Sequence, residues 1–278
     1  MNIGNAKGPI YMLNGRKRSV MVEYLKNTKV VKKCRHLARK VLSHNLILIT
    51  GCQRSGTTLM LLLLDAHSKI WGLDESEVGA RLPFARSMFR DVINGYYPCR
   101  KQPTESGAIG TLEERYPHAE IIWMIRDPLS VVSSMRKLDG WLSLGSSAGR
   151  EIKQLSRFST EVETGIQSLS EVEVGARIWR ANCKAMFEAK SRELNVTSIK
   201  YKDLIKETEE QLKNVVNRVG LRFEASMIDF HNRNRNQGRV LAGNTRGDKK
   251  INRKKDKKLN LTNEQKKRII KITRPYLK

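Results

Sequence analysis

The chain has 278 residues with a net charge of +25, and 39% of its residues are hydrophobic and 29% charged. This length suffices for a full α/β core, and the composition is that of a globular protein. The apolar runs fall short of the roughly 20 residues of a membrane-spanning helix, so we expect no transmembrane segment. The positive charge predicts an anionic partner: nucleic acid, an anionic membrane surface, or an acidic nucleotide or polymer.

The positive charge is concentrated towards the two ends of the sequence. Residues 1–42 contain eleven Lys and Arg against one Glu, and residues 246–278 contain fourteen against three acidic residues. We interpret residues 1–42 as a basic arm or helix and residues 43–278 as a single domain. The four cysteines have no CxxC spacing, so we expect neither a zinc site nor a disulfide framework, and a cytoplasmic location is favoured.

The first predicted strand leads into a glycine-containing loop. Residues 46–50 form an apolar run typical of a buried strand, which Gly51 ends. A polar loop over 52–56 follows, and a helix is predicted from Thr57. Backbone N–H groups at a helix N-terminus favour a phosphate or a sulfate. We therefore expect an anion site formed by Arg54, Ser55, Gly56, Thr57 and Thr58.

This loop differs from the Walker A loop of nucleotide hydrolases. Gly51 and Gly56 have the Walker A spacing, but Thr57 occupies the position of the lysine. A later apolar strand over 121–125 ends at Arg126, where a metal-binding Asp would be required. A P-loop-like kinase or hydrolase is therefore disfavoured and remains an alternative hypothesis. A nucleic-acid-binding protein is a further alternative, but aromatic residues are only 6% of the chain and no recognition motif is present.

An acidic cluster follows the second predicted strand, which covers residues 70–73. In this cluster of Asp74, Glu75, Ser76 and Glu77, either Asp74 or Ser76 can cap a helix predicted over 78–93, while other residues of the cluster can have a functional role. Residues 96–103 are predicted to form a loop, and residues 108–115 a helix.

The clearest strand covers residues 120–125 and is followed by a helix over 129–137 with Pro128 in its first turn. Arg126 lies at the C-terminal end of this strand, and Ser134 lies eight residues further on. Because ligands gather at the carboxyl ends of strands in open α/β sheets, we expect Arg126 to bind an anion. Residues 138–175 are a candidate lid or acceptor-facing insertion.

The remaining segments continue the alternation of helices and strands. We predict a helix over 174–194, a strand over 196–200, a helix over 204–219 closed by Gly220, a polar loop over 226–247 and a basic helix over 261–277. The alternation predicts an α/β fold of three layers, P-loop-like, in which helices flank both faces of a parallel central sheet.

Two of these motifs resemble those of a known family. GCQRSGTTLMLLLLDAH, residues 51–67, resembles the 5′-phosphosulfate-binding loop of the sulfotransferases that use 3′-phosphoadenosine 5′-phosphosulfate (PAPS). It is most similar to the tyrosylprotein sulfotransferases and their bacterial relatives. MIRDPLSVVSSM, residues 124–135, resembles their 3′-phosphate-binding segment, in which Arg126 and Ser134 would hold the 3′-phosphate. The resemblance implies the sulfotransferase fold and PAPS as the donor, with 3′-phosphoadenosine 5′-phosphate as the product and no metal.

Further positions match the family more loosely, over residues 46–278. The resemblance implies that Glu75 is the general base, with Asp74 the next candidate, and that Arg54 and Lys101 stabilise the transferred group. It places Tyr201, Asn244 and Arg246 among the nucleotide-binding residues, the last two in a loop that closes over the nucleotide.

We therefore expect in-line transfer of a sulfuryl group from PAPS to an acceptor hydroxyl. A carbohydrate or small molecule, including an anionic glycan, is favoured as acceptor, and tyrosine stays open. No nucleic acid is expected as a partner, and the sequence predicts no oligomeric state.

Overall fold

The computed structural model describes residues 43–75, 77, 91–107, 114, 116–138, 169–233, 236, 239–241, 245–247 and 259–277. The predicted N-terminal arm, most of the predicted helices over 78–93 and 108–115, and most of the predicted insertion over 138–175 lie outside the described residues.

Five strands form one parallel sheet within the described part of the chain. In sequence order they are β1 Ile47–Gly51, β2 Ile70–Leu73, β3 Tyr97–Lys101, β4 Glu120–Ile125 and β5 Val196–Lys200. Their order across the sheet is β2-β3-β1-β4-β5, so the first strand lies at the centre. An antiparallel ribbon pairs β6 Val240–Leu241 with β7 Thr245–Arg246.

The α-helices of the described residues have the bounds α1 Thr57–Asp65, α2 Pro128–Met135, α3 Glu171–Ser191, α4 Tyr201–Lys206, α5 Thr208–Arg218 and α6 Asn263–Thr273. None of the helices that the structure describes is long and apolar enough to cross a membrane.

The central strands divide the core into two apolar layers, because successive side chains point to opposite faces of a sheet. Ile47 and Ile49 pack with the leucines of α1 and with α5. Leu48 and Trp123 instead pack with Ala185 and Met186 of α3, on the opposite face. The predicted three-layer α/β fold with a parallel sheet is therefore confirmed.

The predicted loop over residues 96–103 is wrong, because β3 runs through it between β1 and β2. Pro98, which favours a loop in the sequence, lies inside this strand. Gln102 donates its N–H to Ile49 O of β1. Backbone N–H groups alternate sides along a strand, so the position of the missing N–H of Pro98, four residues earlier, also faces β1. Pairing of β3 with β1 begins only at Cys99, and Pro98 therefore interrupts no hydrogen bond of the sheet.

Two other segments differ in detail from the prediction. The helix expected over 204–219 is divided into α4 and α5, because Glu207 leaves the helical conformation with φ −123° and ψ 47°. Gly220 follows α5 with φ 73°, which agrees with its predicted role at the helix end. The predicted polar loop over 226–247 contains the β6–β7 ribbon.

Candidate functional site

The predicted site residues lie at the carboxyl ends of the five parallel strands. This is the edge at which ligands bind in open α/β sheets. Each strand ends at one part of the site: β1 at the loop over 52–56, β2 at Asp74 and Glu75, β3 at Lys101, β4 at Arg126 and β5 at Tyr201.

The loop after β1 depends on two glycines. Gly51 has φ 118°, and a Cβ there would lie 2.4 Å from Met124 O of the neighbouring strand. Gly56, the N-cap of α1, has φ 102°, and a Cβ there would lie 2.4 Å from the ring of Tyr201. Both positions thus require glycine for conformation and for space. The tight turn brings the loop against β4 and Tyr201.

Arg54 connects this loop to the helix after β4. Its backbone has φ 70°, a left-handed conformation that is costly for a residue with a Cβ and is often found at functional sites. Its Nε donates a hydrogen bond to Ser134 Oγ over 3.1 Å. Within the loop, Ser55 N donates to Cys52 O over 3.1 Å. The predicted 5′- and 3′-phosphate segments are therefore in direct contact.

Arg126 adds a second guanidinium group to this cluster. It donates from Nη1 to Arg54 O over 3.1 Å, and its Cζ lies 4.3 Å from the centre of the Tyr201 ring. Trp179 of α3 donates from Nε1 to Arg126 O over 2.8 Å and so holds the end of β4. The sequence gives no sign of this contact, since Trp179 reads as an ordinary apolar helix position.

The electrostatics of the cluster favour an anion. Burial lowers the pKa of Arg54, and the nearby charge of Arg126 lowers it further. Two guanidinium groups that repel each other in a partly buried place are stabilised when a phosphate binds to both. Arg54, Arg126 and Ser134 therefore fit a phosphate group.

Lys101 joins the acidic cluster to α1. Its Nζ lies 2.6 Å from Asp74 Oδ1 and 3.3 Å from Glu75 Oε1, and it donates to Thr58 Oγ1 over 3.3 Å. The side chains of Lys101 and Asp74 are 2% and 0% exposed, whereas that of Glu75 is 28% exposed. Of the two predicted candidates for a base, Glu75 is therefore the one whose side chain is partly exposed.

Arg239 binds the acidic cluster, and the sequence did not predict it as a residue of the site. Its guanidinium contacts Glu77 at 2.6 Å and Asp65 at 2.8 Å and donates to Gly72 O over 3.1 Å. Burial alone would lower the pKa of Arg239, but the hydrogen bonds and charges of Glu77 and Asp65 raise it. Glu77 in turn accepts from Asp74 N over 2.8 Å. Arg239 therefore fixes the backbone that carries Asp74 and Glu75.

The structure does not describe the side chains of two predicted nucleotide-binding residues. Asn244 lies outside the described residues, and Arg246 is described only through its backbone in β7. Among the residues that the structure describes, no group of three or more His, Cys, Asp and Glu side chains is arranged to hold a metal ion.

Comparisons with known proteins agree with the fold. The model of the sulfotransferase family matches residues 83–225. A Caenorhabditis briggsae protein described as "Putative protein-tyrosine sulfotransferase" is 23% identical over 216 residues, which cover 67% of this chain and 69% of that protein.

Two solved structures share the fold. The sulfotransferase domain from the curacin biosynthetic pathway has a TM-score of 0.57 at 16% identity, covering 82% of this chain and 96% of that domain. The sulfotransferase domain from the Synechococcus PCC 7002 olefin synthase has a TM-score of 0.54 at 14% identity, covering 84% of this chain and 94% of that domain. At these identities the likeness concerns the fold alone.

Proposed function

The chain belongs to the sulfotransferase family, and we propose that it transfers a sulfuryl group from PAPS to a hydroxyl group of an acceptor. The observation that carries the proposal is the meeting of Arg54, Lys101, Arg126 and Glu75 at one edge of the sheet. Together they supply two guanidinium groups suited to phosphate, a buried cation and a partly exposed glutamate side chain, which are the groups that such a transfer requires.

The donor nucleotide is assigned to the loop after β1 and to the end of β4. The backbone N–H groups and hydroxyls of Ser55, Gly56, Thr57 and Thr58 would bind the 5′-phosphate at the N-terminus of α1. Arg126 and Ser134 would bind the 3′-phosphate, and the negative charges of the nucleotide as a whole would relieve the repulsion between Arg54 and Arg126. Tyr201, Asn244 and Arg246 complete the proposed nucleotide site.

The transfer itself is assigned to Lys101, Arg54 and Glu75. Glu75 accepts the proton of the acceptor hydroxyl, whose oxygen forms a bond to sulfur as the bond between sulfur and the bridging oxygen breaks. Lys101 and Arg54 stabilise the negative charge that develops on the bridging oxygen. The exposure of Glu75 and the burial of Asp74 support Glu75 as the base. The residues of this scheme require no metal.

The acceptor is proposed to be a carbohydrate or small-molecule hydroxyl. The name of the Caenorhabditis briggsae relative makes tyrosine the first alternative. A radiolabelled sulfuryl group on PAPS would be followed into a panel of sugars, phenols and tyrosine peptides, without added Mg²⁺. Transfer to one class would identify the acceptor, and transfer to none, with Mg²⁺-dependent turnover of ATP, would favour the kinase or hydrolase alternative.

A further inference from the structure

The outward face of α6 combines positive charge with apolar surface. Lys267, Ile270, Lys271 and Arg274 are spaced i, i+3, i+4 and i+7, so they form one stripe of the helix, and all four are exposed. Ile270 is 37% exposed, whereas the preceding Ile269, about 100° further round the helix, is fully buried. The helix thus buries one apolar face and presents a second, smaller one between cations.

Two further exposed apolar side chains lie near the C-terminal end of this stripe. Leu277, which follows α6, is 40% exposed, and Phe187 of the neighbouring α3 is 54% exposed. The ring of Phe187 stacks on Tyr276 with 5.7 Å between centroids, which joins α3 to the turn that follows α6. We refer to six residues together as the C-terminal surface: Phe187, Lys267, Ile270, Lys271, Arg274 and Leu277.

The apolar groups on the C-terminal surface are concentrated and not scattered. The described part of the chain exposes four large apolar side chains, and three of them belong to this surface. Single exposed apolar residues are ordinary, but a group of them among cations marks a site of interaction. Lys184, one turn before Phe187 on α3, is exposed as well. Of the nearby acidic side chains, Glu264 and Glu173 both contact Arg268.

Hydrogen bonds and an ion pair connect α6 and the residues before it to α2 and α3. Arg136, the C-cap of α2, donates to Asn260 O over 3.0 Å just before α6, and Asn260 N donates to Ser133 Oγ of α2 over 3.1 Å. Arg268 of α6 lies 3.5 Å from Glu173 of α3. These contacts hold α6 against the two helices of the same layer and so fix the direction in which its outward face points.

We propose that the C-terminal surface binds an anionic membrane surface. Cations on one helix face attract anionic headgroups, while Phe187, Ile270 and Leu277 leave water for the boundary between headgroups and acyl chains. A nucleic acid would use the cations and could stack a base on Phe187, but it would gain little from the aliphatic Ile270 and Leu277, which suit the acyl-chain boundary of a membrane. The inference rests on residues outside the proposed catalytic site and does not depend on the proposed function.

Vesicle co-sedimentation tests the proposal with the full chain. We expect binding to phosphatidylcholine vesicles that contain phosphatidylserine, no binding to phosphatidylcholine alone, and weakening by salt. The triple charge reversal Lys267→Glu, Lys271→Glu and Arg274→Glu should weaken binding at least tenfold. The matched control reverses three exposed cations elsewhere, Arg192→Glu, Lys206→Glu and Lys213→Glu, and changes the net charge equally. Thermal melts verify that each variant is folded.

An apolar variant separates membrane binding from attraction by charge alone. Phe187→Ser, Ile270→Ser and Leu277→Ser together should also weaken vesicle binding at least tenfold, while binding of a single-stranded RNA probe stays unchanged. The proposal is overturned if the wild-type protein ignores the anionic vesicles, or if the control reversal weakens binding as much as the surface reversal. It is equally overturned if the apolar variant binds the vesicles as the wild type does.

Discussion

Lys101 and Asp74 form an ion pair of 2.6 Å that is almost completely shielded from solvent, with side-chain exposures of 2% and 0%. The pair joins the end of β3 to the end of β2. Because Lys101 also contacts Glu75 and Thr58, one buried cation links the acidic cluster to the helix that follows the anion-binding loop. Lys101 thus has a structural role beside its proposed chemical one.

Removal of one partner of this pair should be costly. We predict that Lys101→Met destabilises the fold by about 3–5 kcal/mol, because it leaves the Asp74 carboxylate buried without its cation. The double variant Lys101→Met and Asp74→Leu should recover most of the stability without recovering sulfuryl transfer. Urea unfolding measures both variants, and an unchanged midpoint for Lys101→Met would contradict the prediction.

Glu75→Gln should separate binding from transfer. The amide keeps the shape of the side chain but cannot accept a proton, so we predict a fall in turnover of about 10²–10⁴-fold with nucleotide affinity unchanged. Glu188→Gln, on the outer part of α3, is the matched control and should keep full turnover. Near-complete turnover in Glu75→Gln would show that another residue is the base.

Gly56→Ala should damage the nucleotide site through steric contact as well as backbone strain. The new Cβ would lie 2.4 Å from the Tyr201 ring, at a residue with φ 102°. Gly95→Ala is the control for strain alone, because Gly95 has φ 75° and nothing lies within 4 Å of a Cβ there. We predict loss of nucleotide binding only in Gly56→Ala, as measured by calorimetry. Equal binding by both variants would show that Tyr201 can move away at little cost.

Arg239→Met should affect both stability and turnover. The change removes the cation that faces Asp65 and Glu77, and we predict a loss of about 3–5 kcal/mol together with reduced transfer, since the acidic segment is no longer fixed. The exposed Arg192→Met is the control. Unfolding curves and the transfer assay give the two readouts, and a variant as stable and active as wild type would refute the role of Arg239.

The start of α3 should contribute a pH-dependent part of the stability. Hydrogen bonds from the side chain and backbone of Ser170 lower the pKa of Glu173 from its ordinary value of 4.5. A carboxyl with a lowered pKa in the folded state stabilises the fold above its unfolded pKa, and this contribution is lost as the pH falls through the folded value. Ser170→Ala should therefore cost about 1 kcal/mol or less near neutral pH and less in acid. An equal cost at pH 7 and pH 3 in urea unfolding would contradict this assignment.

The segments predicted correctly are those whose signals are local. The apolar run before Gly51 and the polar loop after it define β1 and α1 without reference to the rest of the chain. Arg126 and Pro128 mark the end of β4 and the start of α2 in the same way. The carboxyl ends of parallel strands lie at the same edge of the sheet. The alternation of strands and helices in the sequence was therefore enough to predict that these loops lie near each other.

The features that the sequence did not predict depend on distant partners. β3 was missed because its sequence YPCRK contains a proline and two cations, which become acceptable only between two neighbouring strands and beside Asp74 and Asp91. Arg239 lies 162 residues from Glu77 along the chain, and no local pattern joins them. Trp179 likewise contacts Arg126 only after α3 has packed on the sheet.

Calorimetric titration with 3′-phosphoadenosine 5′-phosphate tests the donor site most directly. Wild-type protein should bind it with a dissociation constant near 1 μM, about −8 kcal/mol, independently of Mg²⁺, and should bind adenosine 5′-phosphate much more weakly. Arg126→Ala should lose at least tenfold in affinity, while the surface variant Arg192→Ala should not. Absence of binding by folded wild-type protein, or equal affinity for the two nucleotides, would contradict a PAPS site at the carboxyl ends of these strands.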